Sequence, residues 1–338
     1  MKPGRVKRLC CLALCLLALT ACGLRDEGQT ERLYAMDTTM DLTAYGSQAE
    51  AAVTAGAREI NALDDLLSAQ RPESDIAKLN RAQGEAVTVS DETARLLEKT
   101  LSLCADTGGA LDVTIYPVMR AWGFDSKDYR VPGESELAAL LERVDYATIT
   151  VKGNTVTVPE GVELDLGAVG KGYAGDRVVA LWRDMGVESG LLYLGGNVQC
   201  LGVKPDGSDW SVGIRDPEDE SALLATVTGR DMAVVTSGGY QRYFDEGGVR
   251  YHHIMDPATG KPARSGAASV TIVAESGTLC DALSTALYVM GPDQAADYWR
   301  AHRDFEMIYY TEGGTLLYTA GLKDRLKLRD DLAGEMLT

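Results

Sequence analysis

Four stretches of this chain carry residue types with chemistry to offer. In "ELDLGAVGKGYAGDRVVALWRDMG" (163–186) an apolar strand runs into a glycine-rich turn bearing Lys171, and a helix follows with Val178, Val179, Trp182 and Met185 facing inward. Glycines let backbone N–H groups approach a ligand closely and a helix start favours anions, so Lys171 would add a point charge for a phosphate. The stretch reads as neither a Walker loop nor a dinucleotide fingerprint, and a plain tight turn gives a similar pattern. In "CDALSTALYVMG" (280–291) a helix would set Asp281 and Thr285 one turn apart on one face. A carboxylate and a hydroxyl are hard oxygen ligands suited to Mg2+; an N-cap Asp with a Thr bonded back to a carbonyl explains the same residues without a metal.

Two of the three histidines stand side by side in "YHHIMDPATGKP" (251–262). Free imidazole titrates near pH ~6.5, so either His252 or His253 can move a proton at neutral pH. Adjacent residues of an extended strand point to opposite faces, so one ring at most reaches a given site, and the spacing disfavours zinc. A structural histidine at a strand end is the alternative. In "GGALDVTIYPVMRAWGF" (108–124) a core strand explains the apolar residues but not Asp112, while Pro117 and Trp122 suggest a close-packed loop and wall.

Both kinds of element are needed to position these groups. Residues 33–45 alternate as a strand, 47–69 have the three-and-four spacing of an amphipathic helix, and Ser74-Asp75 and Ser90-Asp91 are helix-start signals. Residues 147–158 form a hairpin turning at Gly153-Asn154, 190–203 and 269–274 supply further strands, and helices are expected at 172–185, 280–290 and 292–302. Strands paired in hairpins predict an α+β fold with antiparallel sheet and packed helices, built as a single large compact unit.

The chain opens on four basic residues, the apolar run "LCCLALCLLAL" and "LTAC" ending at Cys22. This has the parts of a secretory signal over 1–21 and looks like a bacterial lipobox, with lipidation expected on Cys22 and a polar tether over 22–32. The expectation is an extracytoplasmic protein held at the cell membrane by a lipid anchor. Cys104, Cys200 and Cys280 are too few and too scattered for a disulfide framework, so buried thiols are expected, with one Cys104–Cys200 bridge left open. A net charge of −17, more acidic still without the leader, argues against nucleic-acid binding.

The order of "MDTTM", "SDIAKLN", "ALDVT" with "WGF", "LDLGAVGKGYA", "YLGGN", "TSGGYQRYF", "HHIMDPATGKP" and "DALSTAL" along one chain resembles the ApbE family of FAD:protein FMN transferases, from roughly Leu33 to Arg300. The resemblance implies a T-fold-like domain over 33–330. It implies Mg2+-dependent transfer of the FMN moiety of FAD to a threonine hydroxyl of a partner flavoprotein with an FMN-binding domain, releasing AMP. It also implies that the Ala168 carbonyl, Asp281 and Thr285 hold the metal. Met40, Ala110, Leu111, Asp112, Asp165, Lys171 and Met255 would line the FAD site, with His253 accepting the proton and His252 structural. Gln70 stands where the family often has an aromatic residue, and Asn197 and Gly239 where acidic residues are common. An FAD pyrophosphatase, or a flavin-binding lipoprotein without turnover, are the rival readings.

Overall fold

The computed structural model describes residues 28–219 and 221–338; the leader, Cys22 and the first part of the tether lie outside the described residues. Nine strands stand in one sheet in the order in which they occur in the chain: β1 (Gln29–Ala35), β2 (Thr38–Ala44), β3 (Ser189–Leu194), β4 (Asn197–Gly202), β5 (Met232–Gly238), β6 (Ala267–Ala274), β7 (Glu306–Thr311), β8 (Leu316–Thr319) and β9 (Gly334–Leu337). All neighbours are antiparallel except β8 and β9. Sequential strands that pair directly give the expected α+β sheet. Its ends at Gln29 and Leu337 overreach the expected 33–330 span.

Period-two alternation gives the sheet two apolar faces. Val234, Val273 and Ile308 meet Trp210, Val212 and Leu224, which belong to a second sheet of three strands (Trp210–Arg215, Leu223–Gly229, Leu326–Leu328). Val235, Ile272 and Met307 point the other way, onto Leu283 and Leu287 of α3 (Gly277–Met290). Farther along that face, Leu42, Leu192 and Leu194 bury against Ile60 of α1 (Ala49–Leu67) and Val178 and Trp182 of α2 (Gly170–Asp184). Each such side chain withdrawn from water contributes ~1.5–3 kcal/mol. Thus α2 and α3 are pressed side by side on one sheet face.

Local signals account for most helix boundaries. Ser74 and Ser90 cap their helices by accepting from Ala77 N–H (2.9 Å) and Thr93 N–H (3.1 Å), and the 153–154 turn joins Thr150–Lys152 to Thr155–Thr157. Three expectations need correction. The 33–45 strand is a hairpin, because Met36 and Asp37 take φ of 49° and 59° and reverse the chain without glycine. Helix α3 starts at Gly277 rather than 280, since the Ser276 side chain caps it through Leu279 N–H. Pro117 lies in the first turn of a short helix, Tyr116–Ala121, where its missing N–H costs nothing.

Candidate active site

The glycine turn and the "DALST" helix meet where α2 crosses α3. A Cβ on Gly172 would lie 2.1 Å from the Gly277 carbonyl oxygen and 2.8 Å from Asp281 Cβ, so only glycine permits the approach. The Gly172 N–H donates to Asp281 Oδ2 at 2.8 Å. That N–H stands four residues after Ala168 and would otherwise close a helical turn on its carbonyl; with it turned aside, the Ala168 carbonyl accepts no backbone bond among the described residues. Lys171 Nζ lies 3.8 Å from Asp281 Oδ1 and donates to the Gly167 carbonyl at 3.4 Å. Thr285 Oγ1 has only long contacts, 3.3 Å to Ser237 Oγ and 3.5 Å to the Asp281 carbonyl, whereas Ser284 makes the short ones, 2.8 and 3.0 Å. Ala168 lies one turn before Gly172, whose N–H meets Asp281, and Thr285 lies one turn after Asp281, so a carbonyl, a buried carboxylate and a loosely held hydroxyl are all carried to one helix crossing.

Asp176 locks this crossing. From α2 it accepts bonds from Ser276 Oγ (2.9 Å), Gly277 N–H (2.6 Å), Thr278 N–H (3.0 Å), Thr278 Oγ1 (2.6 Å) and Gln199 Nε2 (2.9 Å). A carboxylate at a helix N-terminus satisfies donors that have no intrahelical partner. Replacing Gly172 with alanine should push the two helices apart and destabilise the fold by about 1–3 kcal/mol or more. A thermal melt reads this directly, and an unchanged midpoint would contradict the packing argument.

Across the cleft stand Asp165 and His253. Asp165 Oδ1 accepts the Gly167 N–H at 2.7 Å. Burial raises its carboxyl pKa above the usual range despite that bond and the charges of Arg242 and Lys171, and Asp37 of the β1–β2 turn adds repulsion. His253 gives its backbone N–H to the Arg242 carbonyl (3.1 Å), and its Nδ1 lies 3.2 Å from the same oxygen. A carbonyl only accepts, so Nδ1 carries the proton and Nε2 is the unprotonated, accepting nitrogen. Burial, with Arg242 next, lowers the imidazole pKa to about 3. Both side chains are half-buried, and Arg242 and Lys171 lie near enough to act on the charge of each. His252 turns the opposite way: it is buried edge-on to Tyr288 (5.5 Å), with Nε2 on the Ala263 carbonyl (3.1 Å) and a pKa lowered by burial to about 4. The two rings therefore split between core and cleft, as strand alternation requires.

The FAD-lining residues divide. Residues 110–112 adjoin the cleft, since the Asp165 N–H donates to the Val113 carbonyl (2.8 Å) and Ile115 pairs with Glu163. Of these, Ala110 is half-buried and Leu111 is core. Asp112 is turned inward onto Thr114 N–H (2.8 Å), Thr114 Oγ1 (2.6 Å) and Tyr146 N–H (3.2 Å), and burial raises its pKa. Met40 and Met255 have buried side chains. Met40 is fully buried between β1 and β3, and Met255 packs with Val118, Trp122 and Phe124, so both side chains belong to the core behind the site. Gln70 donates to the Asp125 carbonyl (3.2 Å), next to Phe124, whose ring lies 6.4 Å from His253. A Cβ on Gly239 would meet the His252 ring at 2.8 Å, which rules out an acidic side chain there.

Gly170, Gly172 and Gly175 do hold GxGxxG spacing, but all three lie inside α2, in a setting of antiparallel strands, so no dinucleotide fold is built on them. Cys104, Cys200 and Cys280 are free and buried; burial lifts the first two thiols to about 12 and the third well above its usual value, so none is a nucleophile. No group of three His, Cys, Asp or Glu side chains gathers among the described residues, and a carbonyl–carboxylate–hydroxyl set does not require one. A cavity of about 290 Å3 lined by Asp176, Arg183, Gln199 and Ser276 is bordered by none of Lys171, Asp281 or His253. Sequence reading missed Asp176, Ser237, Arg242 and Asp37; only "SGT" at 276–278, a cap signal before α3, pointed toward the clamp.

A lysine, a carboxylate beside a free carbonyl, and a neutral imidazole around one cleft define a site for an anionic, phosphate-bearing substrate, set on an α+β scaffold. The ApbE family matches residues 36–309, and the chain belongs to it. Among its relatives, the FAD:protein FMN transferase of Treponema pallidum is 32% identical, with 96% of each chain covered, and that of Vibrio cholerae is 32% identical over 78% of this chain and 80% of the other. The crystal structure of the ApbE protein of Thermotoga maritima superimposes with a TM-score of 0.83 at 31% identity, covering 88% of this chain and 99% of that one. The apo form of the flavinyl transferase ApbE of Pseudomonas stutzeri gives 0.80 at 28% identity, covering 89% and 97%.

Proposed function

We propose that this protein is an FAD:protein FMN transferase that moves the FMN moiety of FAD onto a threonine hydroxyl of a partner flavoprotein. The observation that carries the reading is the pairing of an anion cradle at the α2–α3 crossing with the unprotonated Nε2 of His253. The acceptor oxygen attacks the FMN phosphorus, its proton passes to His253 Nε2, and the diphosphate P–O bond breaks with its electron pair leaving on AMP. The Ala168 carbonyl, Asp281 Oδ1 and Thr285 Oγ1 fit a hard divalent cation such as Mg2+, which when bound would supply positive charge to the diphosphate. Lys171 adds its charge on the same side, and the glycine turn lets backbone approach the phosphates. Such positioning and charge are what phosphoryl transfer asks of a protein.

The test mixes the protein with FAD, Mg2+ and an FMN-binding-domain acceptor and weighs the acceptor. Covalent gain of FMN mass is expected; free FMN plus AMP would mean a pyrophosphatase, and unchanged FAD a binding protein. We further place the enzyme outside the cytoplasm, lipid-anchored through Cys22, on the strength of the leader and "LTAC". Radiolabelled lipid incorporation that survives Cys22→Ser would overturn that placement.

Because His253 is held neutral far below the range of free imidazole, kcat/KM for FAD should stay flat from pH 8 to about 5. That ratio reports ionisations of the free enzyme. A fall centred near ~6.5 would show that His253 titrates as an ordinary histidine.

A further inference from the structure

A base can take a proton only through a nitrogen that lacks one, so whatever fixes the tautomer of His253 also fixes whether the ring can act. His253 lies just beyond a two-stranded hairpin, Tyr243–Glu246 with Val249–His252, which forms a sheet of its own apart from the nine strands. The link into this hairpin from β5, residues 239–242, belongs to no strand. Gln241 holds its early part, giving its N–H to the Gly238 carbonyl (3.2 Å) and its Nε2 to the Thr236 carbonyl (3.1 Å). Arg242 holds the end that meets the ring. Its carbonyl receives both the backbone N–H and Nδ1 of His253, while its own Nη2 reaches back to the Phe124 carbonyl (2.5 Å), 118 positions earlier in the chain. Phe124 is a firm anchor, since its side chain is buried with Val118, Trp122 and Met255, and its ring lies 6.4 Å from that of His253. Arg242 is also the foremost charge acting on His253, ahead of His252 and Lys171, and all three oppose a second proton on the ring.

We propose that Arg242 is the positioning residue for His253: its guanidinium, pinned to the Phe124 carbonyl, sets its own carbonyl where it keeps the imidazole proton on Nδ1 and leaves Nε2 free to accept. This role rests on the reading of His253 as the base. Two properties of one arginine thus serve the ring, a tether through its donor and a charge that favours the neutral imidazole. Arg242 is itself exposed, so its side chain can be exchanged without opening the core.

The experiment places isotope-labelled histidine in the full protein, which has three histidines, and follows His253 by NMR in wild type, Arg242→Met, Arg242→Lys and a control, Arg264→Met. Arg264 likewise gives its Nη2 to a hairpin carbonyl, that of Arg250 (2.6 Å), but its charge acts on His252. In wild type the His253 proton is expected on Nδ1. In Arg242→Met it should move largely to Nε2, with the ring's pKa raised by about one unit or more. Arg242→Lys keeps the charge and should hold the pKa near wild type, and the control should change neither reading. Transfer kinetics on the same samples should show kcat lowered about tenfold in Arg242→Met with KM for FAD within about twofold, because the diphosphate cradle lies on α2 and α3. An unchanged tautomer and pKa in Arg242→Met, or an equal change in Arg264→Met, would overturn the role of Arg242 whatever the transfer rate. A wild type with the expected tautomer that binds FAD yet transfers no FMN would overturn the transferase reading and leave Arg242's hold on the ring in place.

Discussion

Replacing His253 with alanine should slow FMN transfer by about 10²–10⁴-fold, the range that a positioned general base contributes. The expectation rests on the tautomer: with Nδ1 committed to the Arg242 carbonyl, Nε2 is left without a proton and can accept one. FAD binding should persist, because the diphosphate cradle lies on α2 and α3 rather than on this ring. Added imidazole should restore part of the rate in the alanine variant, which a merely structural loss would not allow. The measurement is single-turnover transfer to a fixed acceptor, and a variant within threefold of wild type would remove His253 from the reaction.

The second large effect is expected from Asp281→Asn. An amide oxygen can still accept the Gly172 N–H, so the helix crossing should hold and the melting midpoint should move little. What is lost is the negative charge beside Lys171 and the Ala168 carbonyl. Weaker divalent-cation affinity and a fall in transfer of about 10³-fold are expected, since charge stabilisation of this kind contributes several kcal/mol. A Mg2+ titration of transfer rate checks both; if the asparagine variant saturated at the wild-type concentration, Asp281 would not be a cation ligand. Asp281→Ala is a poorer probe, because it also strands a buried N–H.

These two residues stood out in the sequence because their signals are local. Asp281 and Thr285 fall one turn apart, and two adjacent histidines on a strand must part company, one to each face. Ser74 and Ser90 likewise announce their helices within four residues. Illegible parts are those set by distant partners. Nothing near Asp176 shows that it will cap a helix starting 101 residues later, and Ser237 meets Thr285 only because β5 runs beneath α3. The Met36-Asp37 reversal carries no glycine to mark it: Asp tolerates positive φ, but Met seldom takes it. The side-chain surroundings of Met40 and Met255, Leu194 and Trp122 respectively, are likewise set by distant partners.

The carbonyl freed at Ala168 depends on a carboxylate 113 positions further along the chain, held in place by a clamp to residues 276–278. Without α3 the Gly172 N–H would have no carboxylate to turn toward. The carbonyl at 168, the carboxylate at 281 and the hydroxyl at 285 therefore come together only once the two helices have packed.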